Sequence, residues 1–478
     1  MAAPVPPSGR AAPPSTPSLE RRLGAYDAAA IVVSNVIGSG ILITPAFIAA
    51  TAPNAGAMLG AWLIGGFLAF AGAMAYAELA ALRPKAGGEY VYLHEAYGPL
   101  AAFLTGWTSF VAGFAGAIAA SAVGFASYMG RFFPAAADAA PFLSIPLGPI
   151  GLSVSPQALI ALGIIWALSL VHMRGIGPGR LLQNALAVAK VVVLLGFVAA
   201  GLSIGTGSTE HFAVGTSATV GGLLLALIPV MFSYSGWNAA AYVAEEIRNP
   251  GRNVPLALAM GTLAVILVYL ALNILYVYAM PVPELAGLQV RVVDAAADRL
   301  FGAGVGNLLA VITLFIVAGS ISAMVFAGPR VYYAMARDGL FFSAAAAVHP
   351  TFRTPAVSIA GQAVWASLLV LSGTFGQLVD YTGFAVVLFA GVAVAGLFVL
   401  RRRHPDAPRP FKAWGYPVAP GLFVLASIAL VLNSIWRNPG PSAAGLLVIA
   451  AGIPLYAFFR RQARALQPRA DVASAPDA

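Results

Sequence analysis

Two short stretches hold the residues best suited to chemistry in this chain, and each interrupts a long apolar run. The first, Ile37-Gly38-Ser39-Gly40-Ile41, sits in the middle of residues 28–49. The second, Phe232-Ser233-Tyr234-Ser235-Gly236-Trp237-Asn238, interrupts residues 220–244. Glycine tolerates backbone angles that other residues avoid, and it is costly inside a helix. In hydrocarbon, an unwound backbone survives only where protein buries it or a wet cavity faces it. Free N–H groups at the start of a half-helix can then hold a carboxylate.

A third group is Lys190, ten residues beyond Arg180 in another apolar run. At about 1.5 Å per residue its Cα falls near mid-membrane. An amine there costs at least roughly 2.5 kcal/mol, and from the centre its stem does not easily reach water. The bland alternative is a helix shifted in register, with the amine at the interface. Arg174 and Arg180 already mark that interface and argue against the shift.

The elements that must position these groups follow from composition. The 478 residues are 60% hydrophobic and 9% charged, with mean hydropathy +0.86, which excludes a soluble domain and defines an all-α polytopic membrane protein. Twelve spans are expected, over 28–49, 60–82, 100–129, 156–171, 181–201, 220–244, 254–279, 305–328, 356–372, 381–400, 420–435 and 443–459. The net charge of +9 is no sign of nucleic acid. With the N-terminus inside, 21 Lys and Arg fall on the cytoplasmic side against 4 outside, so both termini are expected in the cytoplasm. No cysteine is present, so no disulfide-linked subunit is expected. Residues 1–23 read as a disordered tail with no cleavable signal peptide, and 461–478 as a second tail. The loop 130–155 is expected to lack regular structure, and Asn253 is expected to cap the seventh span.

A lone Gly-Ser-Gly is better explained by close helix packing. Interruptions in span one and again in span six are not. Corresponding breaks in two halves of five spans, here 24–201 and 202–400 with spans eleven and twelve in 401–460, are the signature of an inverted-repeat transporter that holds its solute at the midplane. Glu245 and Glu246 are candidates for an inner gate with arginine partners; solvated charges at a helix end explain them equally well. An enzyme is disfavoured: the five histidines are dispersed, and there is no phosphate loop or zinc-protease helix. A channel is disfavoured because a single chain carries its own repeat.

Several motifs resemble the amino acid–polyamine–organocation (APC) superfamily. They are Gly38-Ser39-Gly40-Ile41, Pro84-x-x-Gly87-Gly88-Glu89-Tyr90-x-Tyr92, Glu245-Glu246-x-x-Asn249-Pro250-x-Arg252-Asn253-x-Pro255 and Ala334-Met335-Ala336-Arg337-Asp338-Gly339. Arg402-Arg403-His404-Pro405-Asp406-x-Pro408-Arg409-Pro410-Phe411-Lys412 belongs with them, and Gly236-Trp237-Asn238 is similar to bacterial relatives of the L-type amino acid transporters. The resemblance implies a LeuT-like five-plus-five inverted repeat of twelve transmembrane helices, with helices 1 and 6 discontinuous. It implies a sodium-independent transporter of small or medium neutral L-amino acids in the cytoplasmic membrane, working as an exchanger or with protons, and without a cofactor. A transport-dead sensor or a cationic amino acid or polyamine permease are the alternatives. The substrate carboxylate would meet N–H groups of Ser39, Gly40 and Ile41, and its amino group the carbonyls of Ile37, Phe232, Ser233 and Ser235. Phe232 and Trp237 would gate the site, with Asn238 linking substrate to gate. Lys190 would stand in place of a sodium ion and reach the Gly38 carbonyl. Ser235 replaces a glycine common in L-type relatives, which implies a smaller side-chain pocket.

Overall fold

The structure, a computed structural model, describes residues 18–38, 40–147, 150–288, 292–302, 304–373 and 375–466. The first interrupted run forms two helices, α1 (Ala25–Val36) and α2 (Gly40–Thr51), followed by α3 (Ala55–Leu82). A short α4 (Glu89–Tyr97) precedes α5 (Pro99–Thr108) and α6 (Phe114–Met129), which a π-helical turn over Ser109–Gly113 joins. Next come α7 (Pro156–Met173) and α8 (Ile176–Ile204). The second interrupted run gives α9 (Val220–Tyr234) and α10 (Ala239–Tyr242). The rest comprises α11 (Pro250–Ala279), α12 (Val282–Ala286), α13 (Val292–Phe301), α14 (Gly306–Ala327), α15 (Pro329–Arg337), α16 (Ala356–Ser372), α17 (Phe375–Arg403), α18 (Val418–Arg437) and α19 (Pro439–Leu466).

Among the described residues, nine helices are long and apolar enough to cross a membrane. Three shorter apolar helices, Ala25–Val36, Val220–Tyr234 and Ala356–Ser372, accompany them. The chain is a multi-pass membrane protein. Its helices start where local chemistry favours it. Asn54, Ser155 and Thr219 each accept from the N–H three residues on, and prolines occupy the first turns of α5, α7 and α11.

Small residues let the helices around the breaks approach closely. A Cβ on Gly65 of α3 would lie 2.2 Å from Val230 of α9, and one on Gly72 would lie 2.8 Å from Trp237. The stripe of glycines on α3 therefore seats the second interruption directly. On its other faces α3 packs along α11, which also carries α1.

Two expectations are corrected. Residues 130–155 are not irregular throughout, because Leu143–Leu147 and Ile150–Val154 pair as an antiparallel hairpin. Alternating apolar residues on both arms support that pairing. Helix α11 begins at Pro250 with Asn249 in a left-handed conformation, so Asn253 lies inside the helix and donates to the Arg248 carbonyl instead of capping. Of the tail 1–23, residues 18–23 are described. Leu19 is buried beside Ala86, Tyr333 and Val348, and Leu23 pairs with Ile247 through two backbone hydrogen bonds of 2.9 Å.

Candidate functional site

A cavity of about 240 Å³ lies between the two interruptions. Gly38 and Gly40 contribute one wall, and Phe232, Ser233, Ser235, Gly236 and Asn238 another. Thr105, Thr108 and the π-helical turn at Ser109 complete it, with Glu89 from α4 and Ser320 from α14. The two breaks touch: a Cβ on Gly40 would sit 3.3 Å from the Ser233 Cα, and the Thr44 and Ser233 hydroxyls lie 2.7 Å apart. Phe232 is half exposed on this wall. Ser39 lies outside the described residues. Ile37 and Ile41 are fully buried behind the wall, and Trp237 packs away from it, edge-on to Tyr76 and Phe423.

The first break is held from behind by a buried amine. Lys190, 1% exposed on α8, donates to the carbonyls of Ser34 (2.8 Å) and Ile37 (2.6 Å) and to the Ser320 hydroxyl (3.1 Å). It therefore engages the last carbonyls of α1 and not that of Gly38, which corrects the expected contact. The reason is helix geometry: the final carbonyls of a helix have no intrahelical donor and point along the axis. Three acceptors match the three N–H donors of an ammonium group. At the other side of the break, α2 starts at Gly40, so its first N–H groups lack intrahelical partners, and Gly40 itself lines the cavity.

The second break is held by neutral groups. Gly236 has φ +98°, and a Cβ there would lie 2.5 Å from the Asn35 amide nitrogen. Asn35 in turn donates to the Gly236 carbonyl at 3.3 Å. A residue that sequence reasoning missed joins both breaks. The Tyr269 hydroxyl on α11, fully buried, lies 2.9 Å from the Val36 carbonyl and 3.0 Å from the Ser233 carbonyl. Its one proton is shared between the ends of α1 and α9. Nothing in the periodicity of α11 distinguishes this tyrosine from its neighbour Tyr276.

Glu89 forms one end of the cavity. Its carboxyl, 8% exposed, accepts from the Tyr76 hydroxyl (2.8 Å) and the Asn238 amide (3.0 Å). Burial pushes this carboxyl above the ordinary carboxylate range, while hydrogen bonds from Tyr76, Tyr242 and Asn238 pull it back down. Glu246 and Arg330 form a buried bidentate pair at 2.7 and 3.0 Å, Glu245 pairs with Arg337 at 3.0 Å, and Glu78 receives Arg401 and Arg409. Glu246 and Arg330 are 0% and 1% exposed, so they are not solvated charges at a helix end.

Two broken helices facing one cavity in a multi-pass membrane protein define a solute permease rather than an enzyme. The family model for amino acid permeases matches residues 23–459, and the chain belongs to that family, within the APC superfamily. It is 31% identical over 431 residues to the human b(0,+)-type amino acid transporter 1, covering 89% of this chain and 85% of that one. It is 29% identical to the human large neutral amino acids transporter small subunit 2, over 92% of this chain and 80% of the relative. The serine/threonine exchanger SteT of Bacillus subtilis is 27% identical, over 92% and 96%.

Proposed function

We propose that this permease carries small or medium neutral L-amino acids across the cytoplasmic membrane without sodium, by alternating access. The reading rests on one observation: the two breaks meet across a single cavity, with free N–H groups of α2 on one side and Lys190 behind the break. The substrate carboxylate meets the first N–H groups of α2, at Gly40 and Ile41. Its amino group meets carbonyls of the second break, with Ser235 on the cavity wall, while the Ser233 carbonyl also receives Tyr269. Phe232 covers the bound molecule, and Trp237 anchors the far side of the same turn. The arrangement is that of twelve spans in a five-plus-five inverted repeat, with the arginine-rich face and both termini in the cytoplasm. The paired carboxylates and arginines close that face.

Three acceptors around the Lys190 amine, matching the three donors of an ammonium group, support a cation in the place of a sodium ion, and on that ground exchange is preferred here over proton coupling. A second reading, uptake of basic amino acids, is favoured by Glu89, a carboxyl on the cavity wall. Uptake of labelled serine, leucine and lysine into proteoliposomes, empty or preloaded with unlabelled amino acids, separates these readings in sodium-free buffer of symmetric pH. Exchange of neutral amino acids predicts uptake into loaded vesicles only. Equal uptake into empty vesicles contradicts exchange, lysine uptake supports the second reading, and no uptake at all leaves a sensor.

A further inference from the structure

A second recess, remote from the cavity, has no part in the reading above. It measures about 260 Å³ and is lined by Arg21, Arg22, Arg180 and Arg248, with Ile176 and Gly177 of the first turn of α8 between them. Four arginines line one hollow, Arg21, Arg22 and Arg248 exposed and Arg180 partly so, and their like charges repel one another unless an anion sits between them. The nearby carboxylates do not neutralise them. Glu20 pairs with Arg22 at 2.6 Å but is shared with Arg353 at 3.3 Å. Asp27 is 3.8 Å from Arg180, and its two oxygens already accept from the Gly24 N–H and the Asn184 amide. The side chains of Arg21 and Arg248 make no hydrogen bond or ion pair with any described residue. The α8 N-terminus adds unpartnered backbone N–H groups on the same wall.

We propose that this recess binds a phosphate group, carried either by the head group of an anionic membrane lipid or by a free phosphate ion. Guanidinium groups match phosphate oxygens with paired N–H donors, and the recess sits at the N-terminal end of α8, one of the helices long and apolar enough to cross a membrane. The phosphate joins three separate elements. Arg21 and Arg22 precede α1, Arg180 lies in the first turns of α8, and Arg248 leads into α11. Residues 21–23 already run beside 246–248 through the Leu23–Ile247 pairing, so a bound phosphate fastens the N-terminal segment of a half-helix to its neighbours.

The test uses the full chain in neutral detergent, with thermal unfolding measured in phosphatidylglycerol, in phosphatidylcholine and in inorganic phosphate. Phosphatidylglycerol in large excess is expected to raise the midpoint by about 5 °C, and phosphatidylcholine to leave it unchanged. A rise with inorganic phosphate alone identifies a free ion as sufficient; a rise with phosphatidylglycerol alone identifies the lipid. R21Q/R248Q should abolish the rise, while R252Q, an exposed arginine outside the recess, should retain it. If the double variant does not fold, R21Q alone serves, since that side chain bonds to no described residue. Native mass spectrometry should show one fewer retained anionic lipid or phosphate on the same variants. The proposal is overturned if neither additive raises the midpoint, or if R21Q/R248Q responds as the wild type does. It is likewise overturned if R252Q loses the response equally, which marks diffuse charge attraction.

Discussion

The two helix breaks look alike in sequence, yet they are kept open by different physics. At the first, between α1 and α2, the exposed carbonyls of Ser34 and Ile37 are met by the buried amine of Lys190. At the second, between α9 and α10, Gly236 takes a backbone angle closed to most residues, and Asn35 fills the space where its Cβ would lie. One break depends on a buried amine supplied by a distant helix. The other depends on its own backbone and a neighbouring amide. The lesson is that an unwound segment in a membrane needs its polar groups satisfied, but charge is only one way to do it.

The largest effect should come from removing the buried amine. Lys190→Ala is expected to lower transport by about 100-fold or more while the protein still folds, because two carbonyls lose a charged donor. Proteoliposome uptake beside a size-exclusion profile measures both, and wild-type uptake would remove the distinction between the breaks. Next is a paired test of the glycines. Gly236→Ala places a Cβ 2.5 Å from Asn35 at a positive φ and should cost about 2 kcal/mol or more. Gly38→Ala meets only the Ser320 hydroxyl at 3.3 Å, with no positive φ, and should cost less than about 1 kcal/mol. Equal losses in unfolding midpoint would show that both breaks rest on backbone conformation.

Tyr269→Phe probes the link between them. Removing a hydroxyl shared by Val36 and Ser233 should cost about 1 kcal/mol and lower the maximal rate more than the apparent affinity. A change in affinity alone would place the tyrosine with the substrate instead of with the breaks. Phe232→Ala, on the half-exposed cavity wall, should raise the apparent KM by about fivefold through lost apolar contact, with the rate nearly unchanged.

Much of this was legible in the chain. The breaks announce themselves as glycine and serine inside apolar runs, and seven of the residues chosen there line the cavity: Gly38, Gly40, Phe232, Ser233, Ser235, Gly236 and Asn238. Lys190 is conspicuous because a mid-span amine is costly. Other features left no such mark. The π-helical turn at Ser109–Gly113 opens the third span toward the cavity, though its sequence reads as ordinary packing residues. Glu89 sits in a segment with the composition of a plain turn, yet its carboxyl reaches the cavity wall.

Local sequence alone determined the membrane class, the positions of the breaks and the presence of a buried amine, because hydropathy, glycine and charge act over a few residues. Only the tertiary structure decided which carbonyls Lys190 meets, that Tyr269 ties α1 to α9, and that Glu246 and Arg330 bury each other across 84 residues of chain. Those partners are chosen by how helices pack, and contacts between distant segments leave no periodic trace in either one.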